Sequence, residues 1–160
     1  LAVLDKLHAK IPNVAIRTSL IVGYPGETDE DFEQLRQLVQ DYRFDRVGVF
    51  VFSPEPGTAA ANMQTSDNTI PMHIAETRRD VLLELQQGIS LAKNQQLIET
   101  TERVIIDGID ENGNLCGRTY RDAPEIDNLV HIPCTREEIQ QFEQVRFRNC
   151  QPYDLGAELI

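Results

Sequence analysis

"VAIRTSLIVGYPGETDEDF", Val14 to Phe32, decides the fold of the first half of this chain. Val14 to Val22 is a β-rich apolar run, long enough for one buried strand. Gly23-Tyr24-Pro25-Gly26 breaks it. Thr28 then stands where a helix N-cap belongs, and Asp29, Glu30 and Asp31 follow at the positive end of the helix dipole. Phe32, Leu35, Leu38, Val39 and Tyr42 recur on one helical face, and the pattern stops near Asp41 to Arg43. "RVGVFVFSP", Arg46 to Pro54, supplies a second strand. Strand, helix, strand is a β-α-β unit, which predicts two parallel strands covered on both faces.

Two such strands do not make a domain, because a parallel sheet needs further neighbours. More sheet is therefore expected upstream. "LAVLDKLHAKIP" at the start reads as the tail of a helix, with Leu1, Leu4, Leu7 and His8 on one face, and suits a piece of a longer chain. Beyond the polar stretch "SPEPGTAAANMQTSDNTIP", a long helix is predicted from about Met72 to Glu99. Its stripe is Ile74, Val81, Leu82, Leu85, Ile89 and Ala92, with Gly88 weakening the middle. From Glu102 the texture changes to short β-rich runs, "RVIIDGI", "NLCGRTY", "NLVHI", "QVRFRN" and "GAELI", separated by turn signals such as "DENGN". That spacing predicts a small closed barrel of OB or SH3 size. The expected organisation is α/β over residues 1–63, a linker helix over 64–99 and a β-barrel over 100–160.

The net charge of −11 is unevenly placed. Residues 99–160 carry 13 acids against six arginines and no lysine. A surface that grips phosphate backbones shows the opposite balance, so direct nucleic-acid binding is disfavoured and a basic partner favoured. No apolar run approaches the ~20 residues that span a bilayer, and no signal-peptide core is present. Cys116, Cys134 and Cys150 lie 18 and 16 positions apart, with no C-x-x-C and no local Cys/His cluster. No metal ligand set is expected in this chain, and reduced thiols of a cytoplasmic protein are.

Ligands of α/β folds sit beyond the carboxyl ends of the strands. The loops "GYPGET" and "SPEPGT" would share that rim, with Gly23 and Gly26 allowing close backbone approach, unless both are ordinary tight turns. Neither matches a Walker A or G-x-G-x-x-G pattern. Glu27 could meet a polar ligand or simply the helix dipole. His8, His73 and His131 are scattered, Ser53 has no histidine near it, and no catalytic residue is expected here.

"RTSLIVGYPGETDEDFEQL" followed by "FDRVGVFVFSPEPGTAAA" resembles the last part of the radical S-adenosylmethionine (β/α) barrel in the methylthiotransferases, and the tail from Glu99 resembles their TRAM domain, an OB-like five-stranded barrel. One branch of that family modifies an adenosine in tRNA. The other adds a methylthio group to the β-carbon of an aspartate in ribosomal protein S-twelve. "RRDVLLELQQGISLAKNQ", Glu55 in "SPEPGT", where the tRNA enzymes tend to have arginine, and "GRTYRDAPEID" favour the second branch. The resemblance implies two [4Fe–4S] clusters and S-adenosylmethionine in the whole enzyme. The cluster-binding C-x-x-x-C-x-x-C triad is absent here, so this piece alone is expected to be inactive. It also implies an adenine-side contact at Ile21 to Gly23, though Ile21 read by itself is equally barrel core. Arg17, Ser19, Ile21 and Gly23 share one strand parity and are expected to face the barrel interior, and Ser53, with Gly57 and Thr58, to lie near the cofactor rim.

A basic ribosomal protein suits the acidic tail, since complementary charge steers encounter. Asp122, Glu125 and Asp127 therefore read as a partner-facing acidic edge, with Arg118 and Arg121 pairing with them or orienting the loop. The plainer account is a rigid β-turn built on Pro124. The expected partner is S-twelve, alone or on the small ribosomal subunit. The tRNA branch, or a non-catalytic protein-binding adaptor, are the alternatives.

Overall fold

The computed structural model describes residues 1–124, 126–133 and 140–160. They fall into two compact units, one of Thr18–Gln96 and one that joins Leu1–Arg17 to Leu97–Ile160.

In the first unit, β1 (Arg17–Val22) and β2 (Arg46–Val51) form a two-stranded sheet. Helix α2 (Asp29–Tyr42) runs between them and begins where the sequence places it. The Thr28 hydroxyl accepts the Asp31 N–H, and the Asp31 carboxylate accepts the Thr28 N–H, so two orphan donors are satisfied. Val39 on the expected face is fully buried, and Arg43 closes the helix in the left-handed region. A short helix, α3 (Ala59–Met63), which the apolar pattern did not announce, is capped by Thr58.

Helix α4 (Met72–Leu97) is as long as predicted, but its buried stripe differs. It consists of Ala75, Arg78, Leu82, Gln86, Ile89, Ser90 and Asn94, while Val81 is exposed. Two polar members of this stripe, Arg78 and Gln86, serve the unit's acids and backbone. Gln86 donates to the carbonyl of Phe44, and Lys93 beside the stripe pairs with Asp45 at 2.7 Å. The core is Val22, Val39, Phe44, Val49, Ala75, Leu82 and Ile89. Alternation along the strands leaves Ser19, Ile21 and Phe50 on an open sheet face, while Val22 and Val49 lie in the core.

In the second unit, helix α1 (Ala2–Lys10) buries none of its residues. The rest is a closed five-stranded barrel of β3 (Thr101–Ile109), β4 (Leu115–Arg118), β5 (Val130–Ile132), β6 (Phe142–Cys150) and β7 (Leu155–Leu159). The order is β3-β4-β5-β7-β6, with β5 and β7 parallel and β3 pairing with β6 to close it, the OB-like connectivity. The five strands coincide with the five β-rich runs. Every second residue points inward, and Val104, Leu115, Val130, Ile132, Val145, Phe147, Leu155 and Ala157 fill the interior. Gly117 is required where β4 crosses β3, since a Cβ there would stand 2.6 Å from the Ile105 carbonyl oxygen. Arg148 donates to both Glu99 and Glu158 on the barrel surface.

Candidate functional site

The Gly23–Thr28 loop is held from several directions. Glu27 accepts the Gly23 N–H at 3.0 Å and the Arg78 guanidinium at 2.5 Å. Arg78 also reaches Asp29 at 2.6 Å and lies over the Phe32 ring, 5.4 Å from its centre. Burial opposes the charge on Arg78, but its bonds to Asp29 and Glu27 outweigh that and raise its pKa. Gly26 N–H donates to the Asn68 carbonyl, and Tyr24 meets Phe52 edge to face. Glu27 thus acts as the internal anchor of the loop.

Gly23 turns away from the face it was expected to share. The strand ends at Val22, and Gly23 adopts φ of +75°, buried so close to α4 that a Cβ would stand 2.6 Å from that of Ala75. Its glycine is required by helix packing. Ser19 and Ile21 do share a face, with Gly48 and Phe50 beside them. A Cβ at Gly48 would lie 3.1 Å from the Phe50 ring and 3.7 Å from Ser19 Oγ. Ile21 and Phe50 are more than half exposed, so this face is flat, apolar and accessible. Ser53 and Gly57 are exposed in the loop after β2.

Two of the three acids expected at a partner-facing edge, Asp122 and Asp127, are turned inward. Asp122 is buried and accepts the Thr119 hydroxyl at 2.7 Å. Asp127 is likewise enclosed, accepting the Ala123 N–H and pairing with Arg17 at 2.6 Å. Both carboxylates point inward because the turn offers them donors that solvent would have to replace. Arg17 therefore has its anionic partner within the protein. Arg118 and Arg121 have their ion-pair partners on another element. They reach across to strand β3, Arg118 to Asp107 at 2.8 Å and Arg121 to Glu102 at 2.7 Å, with Arg121 also over the Tyr120 ring. Glu125 lies outside the described residues, as does Cys134. Among the described residues, the loop presents Tyr120, Pro124 and Ile126 outward.

One cluster was invisible in the cysteine spacing. The β4–β5 register sets Cys116 opposite His131, and the turn after β3 brings Asp110 beside them. The His131 Nδ1 lies 3.8 Å from Cys116 Sγ and 3.7 Å from Asp110 Oδ2. Burial and then the charges of Asp110, Asp154 and Asp107 push the Cys116 thiol pKa up. The Asn114 N–H, chiefly, holds Asp110 below the usual carboxylate value. Only pairing across a sheet reveals such a group.

Residues 98–160 match the family model of the TRAM domain. Across 98–99% of its length the chain is similar to proteins named ribosomal protein uS12 methylthiotransferase RimO. The one from Prochlorococcus marinus (strain AS9601) is 38% identical and that from Bacteroides thetaiotaomicron 41%, each with 36% of its own length covered. The relative from Pelobacter propionicus is 42% identical, with 34% of its length covered. The chain thus spans about a third of the length of these relatives.

Proposed function

We propose that this chain, similar over nearly its whole length to proteins named uS12 methylthiotransferase, belongs to their family and forms the last part of a radical S-adenosylmethionine barrel and the TRAM domain of an enzyme adding a methylthio group to an aspartate of ribosomal protein uS12. The observation that carries this reading is the similarity, at 38–42% identity, along nearly the whole chain. In the cytoplasm, the TRAM barrel docks the basic protein. With 13 acids and six arginines over residues 99–160, its charge opposes that of an rRNA-binding substrate. The individual acids Asp122 and Asp127 have no part in docking, because both are turned inward.

The open face of β1 and β2 fits the adenosine end of S-adenosylmethionine. Ile21 and Phe50 offer apolar surface, Gly48 leaves room for the Phe50 ring to lie against its backbone, and Ser19 supplies a hydroxyl at its edge. The cluster-binding C-x-x-x-C-x-x-C triad is absent from this sequence, so the iron–sulfur clusters belong to other parts of the enzyme. Bound with a cluster, the cofactor supplies the radical that activates the substrate carbon. What this chain contributes is an apolar wall on one side of that site and a rigid Gly23–Thr28 loop at its rim.

The test uses the full-length enzyme carrying Ile21→Asp, with cofactor binding measured by equilibrium dialysis and uS12 examined by mass spectrometry. The expected result is at least tenfold weaker cofactor binding and loss of the methylthio adduct on uS12. In parallel, this chain should bind uS12 with an affinity that falls steeply as salt rises. An adduct on tRNA adenosine, with uS12 unmodified by the wild-type enzyme, would replace this reading by the tRNA-modifying one.

A further inference from the structure

We propose that Asp110, Cys116 and His131 form a binding site for a single zinc-class divalent ion on the outer surface of the barrel. The backbone builds the site. Cys116 and His131 are direct partners in the β4–β5 ladder, and their neighbours in the same row are glycines, Gly108 beside Cys116 on β3 and Gly156 beside His131 on β7. No heavy atom comes within 4 Å of where a Cβ on Gly108 would stand, so the thiol side of the pair is uncrowded. Asp110 is fixed by the turn it starts. Its Oδ1 accepts the N–H groups of Asn112 and Asn114, and its Oδ2 takes the Asn114 amide at 3.2 Å and faces His131.

The distances fit an ion. All three donor atoms lie within 4.8 Å of one another, with the sulfur–nitrogen and nitrogen–oxygen separations at 3.8 and 3.7 Å. Metal–ligand bonds of roughly 2.0–2.3 Å at tetrahedral angles hold neighbouring donors about 3.4–3.6 Å apart. Those two separations close by a few tenths of an ångström, and the sulfur–oxygen pair, within 4.8 Å, by at most about 1.2 Å. On the far side of the imidazole, Asp154 Oδ2 lies 4.0 Å from Nε2, and Asp154 is anchored by the Leu129 N–H at 3.0 Å. A carboxylate in that position orients a ligating histidine through its second N–H.

Charge and chemistry agree. Asp110, Asp154 and Asp107 surround the thiol; Asp107 is already paired with Arg118, which leaves Asp110 and Asp154 as the charges a dication would offset. The ion displaces the thiol proton to solvent on binding, the usual exchange at a thiolate ligand. Sulfur, nitrogen and oxygen donors together select zinc over the all-oxygen ions magnesium and calcium. Three protein ligands leave a fourth position for water or an incoming donor. The side chains of His131 and Asp110 are 40% and 17% exposed, so an ion can enter from solvent. The proposal does not depend on the enzymatic reading above.

The test takes the whole 160-residue chain, stripped with chelator and kept reduced, and titrates it with cobalt(II), then displaces the cobalt with zinc. One equivalent of cobalt should give a thiolate-to-metal charge-transfer band and four-coordinate visible absorption. Cys116→Ser should abolish the charge-transfer band and weaken zinc binding by roughly 100-fold, and Asp110→Asn by about tenfold or more. Cys150→Ser should change neither. Zinc should raise the melting midpoint of the wild type and leave that of Cys116→Ser unmoved, and metal-free Cys116→Ser should melt as the metal-free wild type does. Absence of cobalt binding at millimolar concentration, a band that survives Cys116→Ser, or one lost in Cys150→Ser or Cys134→Ser would overturn the site. Zinc affinity unchanged in His131→Asn would do the same.

Discussion

Arg78 shows how much one side chain can organise. It is buried, and removing it leaves the Glu27 carboxylate enclosed with only the Gly23 N–H for company. Arg78→Met should therefore cost about 3 kcal/mol in urea unfolding, because one partner of a buried pair is stranded. Arg78→Met combined with Glu27→Gln should recover part of that loss. Gly23→Ala meets both the positive φ and the Ala75 contact, for a cost of about 2–4 kcal/mol by the same measurement. Asp31, held by the Thr28 N–H and hydroxyl, has its pKa lowered from the ordinary 3.8. Its contribution to stability is complete above that value and is lost as pH falls through the depressed one. Asp31→Asn should flatten the acid limb of the stability profile below about pH 4, read by circular dichroism. Thr28 and Gly23 were both legible as special positions, but only Thr28 for the right reason. The glycine signalled close approach, and the approaching group turned out to be a helix. Asp122 and Asp127 were not legible, because a carboxylate's direction depends on the donors around it. Those are Thr119 for the first, and Ala123 and the distant Arg17 for the second.

At the scale of elements, strand and turn chemistry carried the barrel. Each run alternates inward and outward residues, and each gap contains turn residues, so five strands could be counted before their pairing was known. Helix α4 was found by length and misread by face. Its buried stripe includes Arg78, Gln86, Ser90 and Asn94, which hydropathy assigns to solvent. For Arg78 and Gln86 the burial follows from acids and backbone carbonyls elsewhere in the unit, which no periodicity reports. The exposed glycine of this helix is a weakness with a simple remedy. Nothing stands within 4 Å of a Cβ at Gly88, so Gly88→Ala should raise stability by about 0.5–1 kcal/mol, seen as a shifted denaturation midpoint. Helix α2 offers the opposite case, since Thr28→Ala should cost about 1 kcal/mol by removing its cap.

For the molecule as a whole, the two-stranded sheet leaves an apolar face and unpaired strand edges in contact with water. The chain by itself should self-associate as concentration rises, and the pair Ile21→Ser with Phe50→Ser should reduce this in sedimentation velocity without altering its helical signal. A single sharp monomer boundary for the wild type at high concentration would contradict the expectation. The barrel poses a different problem, one of time. Its first strand is closed by its fourth, with Thr101 paired to Arg146 and Ile105 to Phe142. Its fifth wedges between the third and fourth, Leu155 against both Val130 and Cys150. These pairings join distant points of the chain, so contact order is high and loop-closure entropy must be met before any ladder rewards it. The β3–β4 pair cannot be closed into the barrel before β6 and β7 are in place. The barrel therefore folds as a late, all-or-none event on the millisecond-to-second scale.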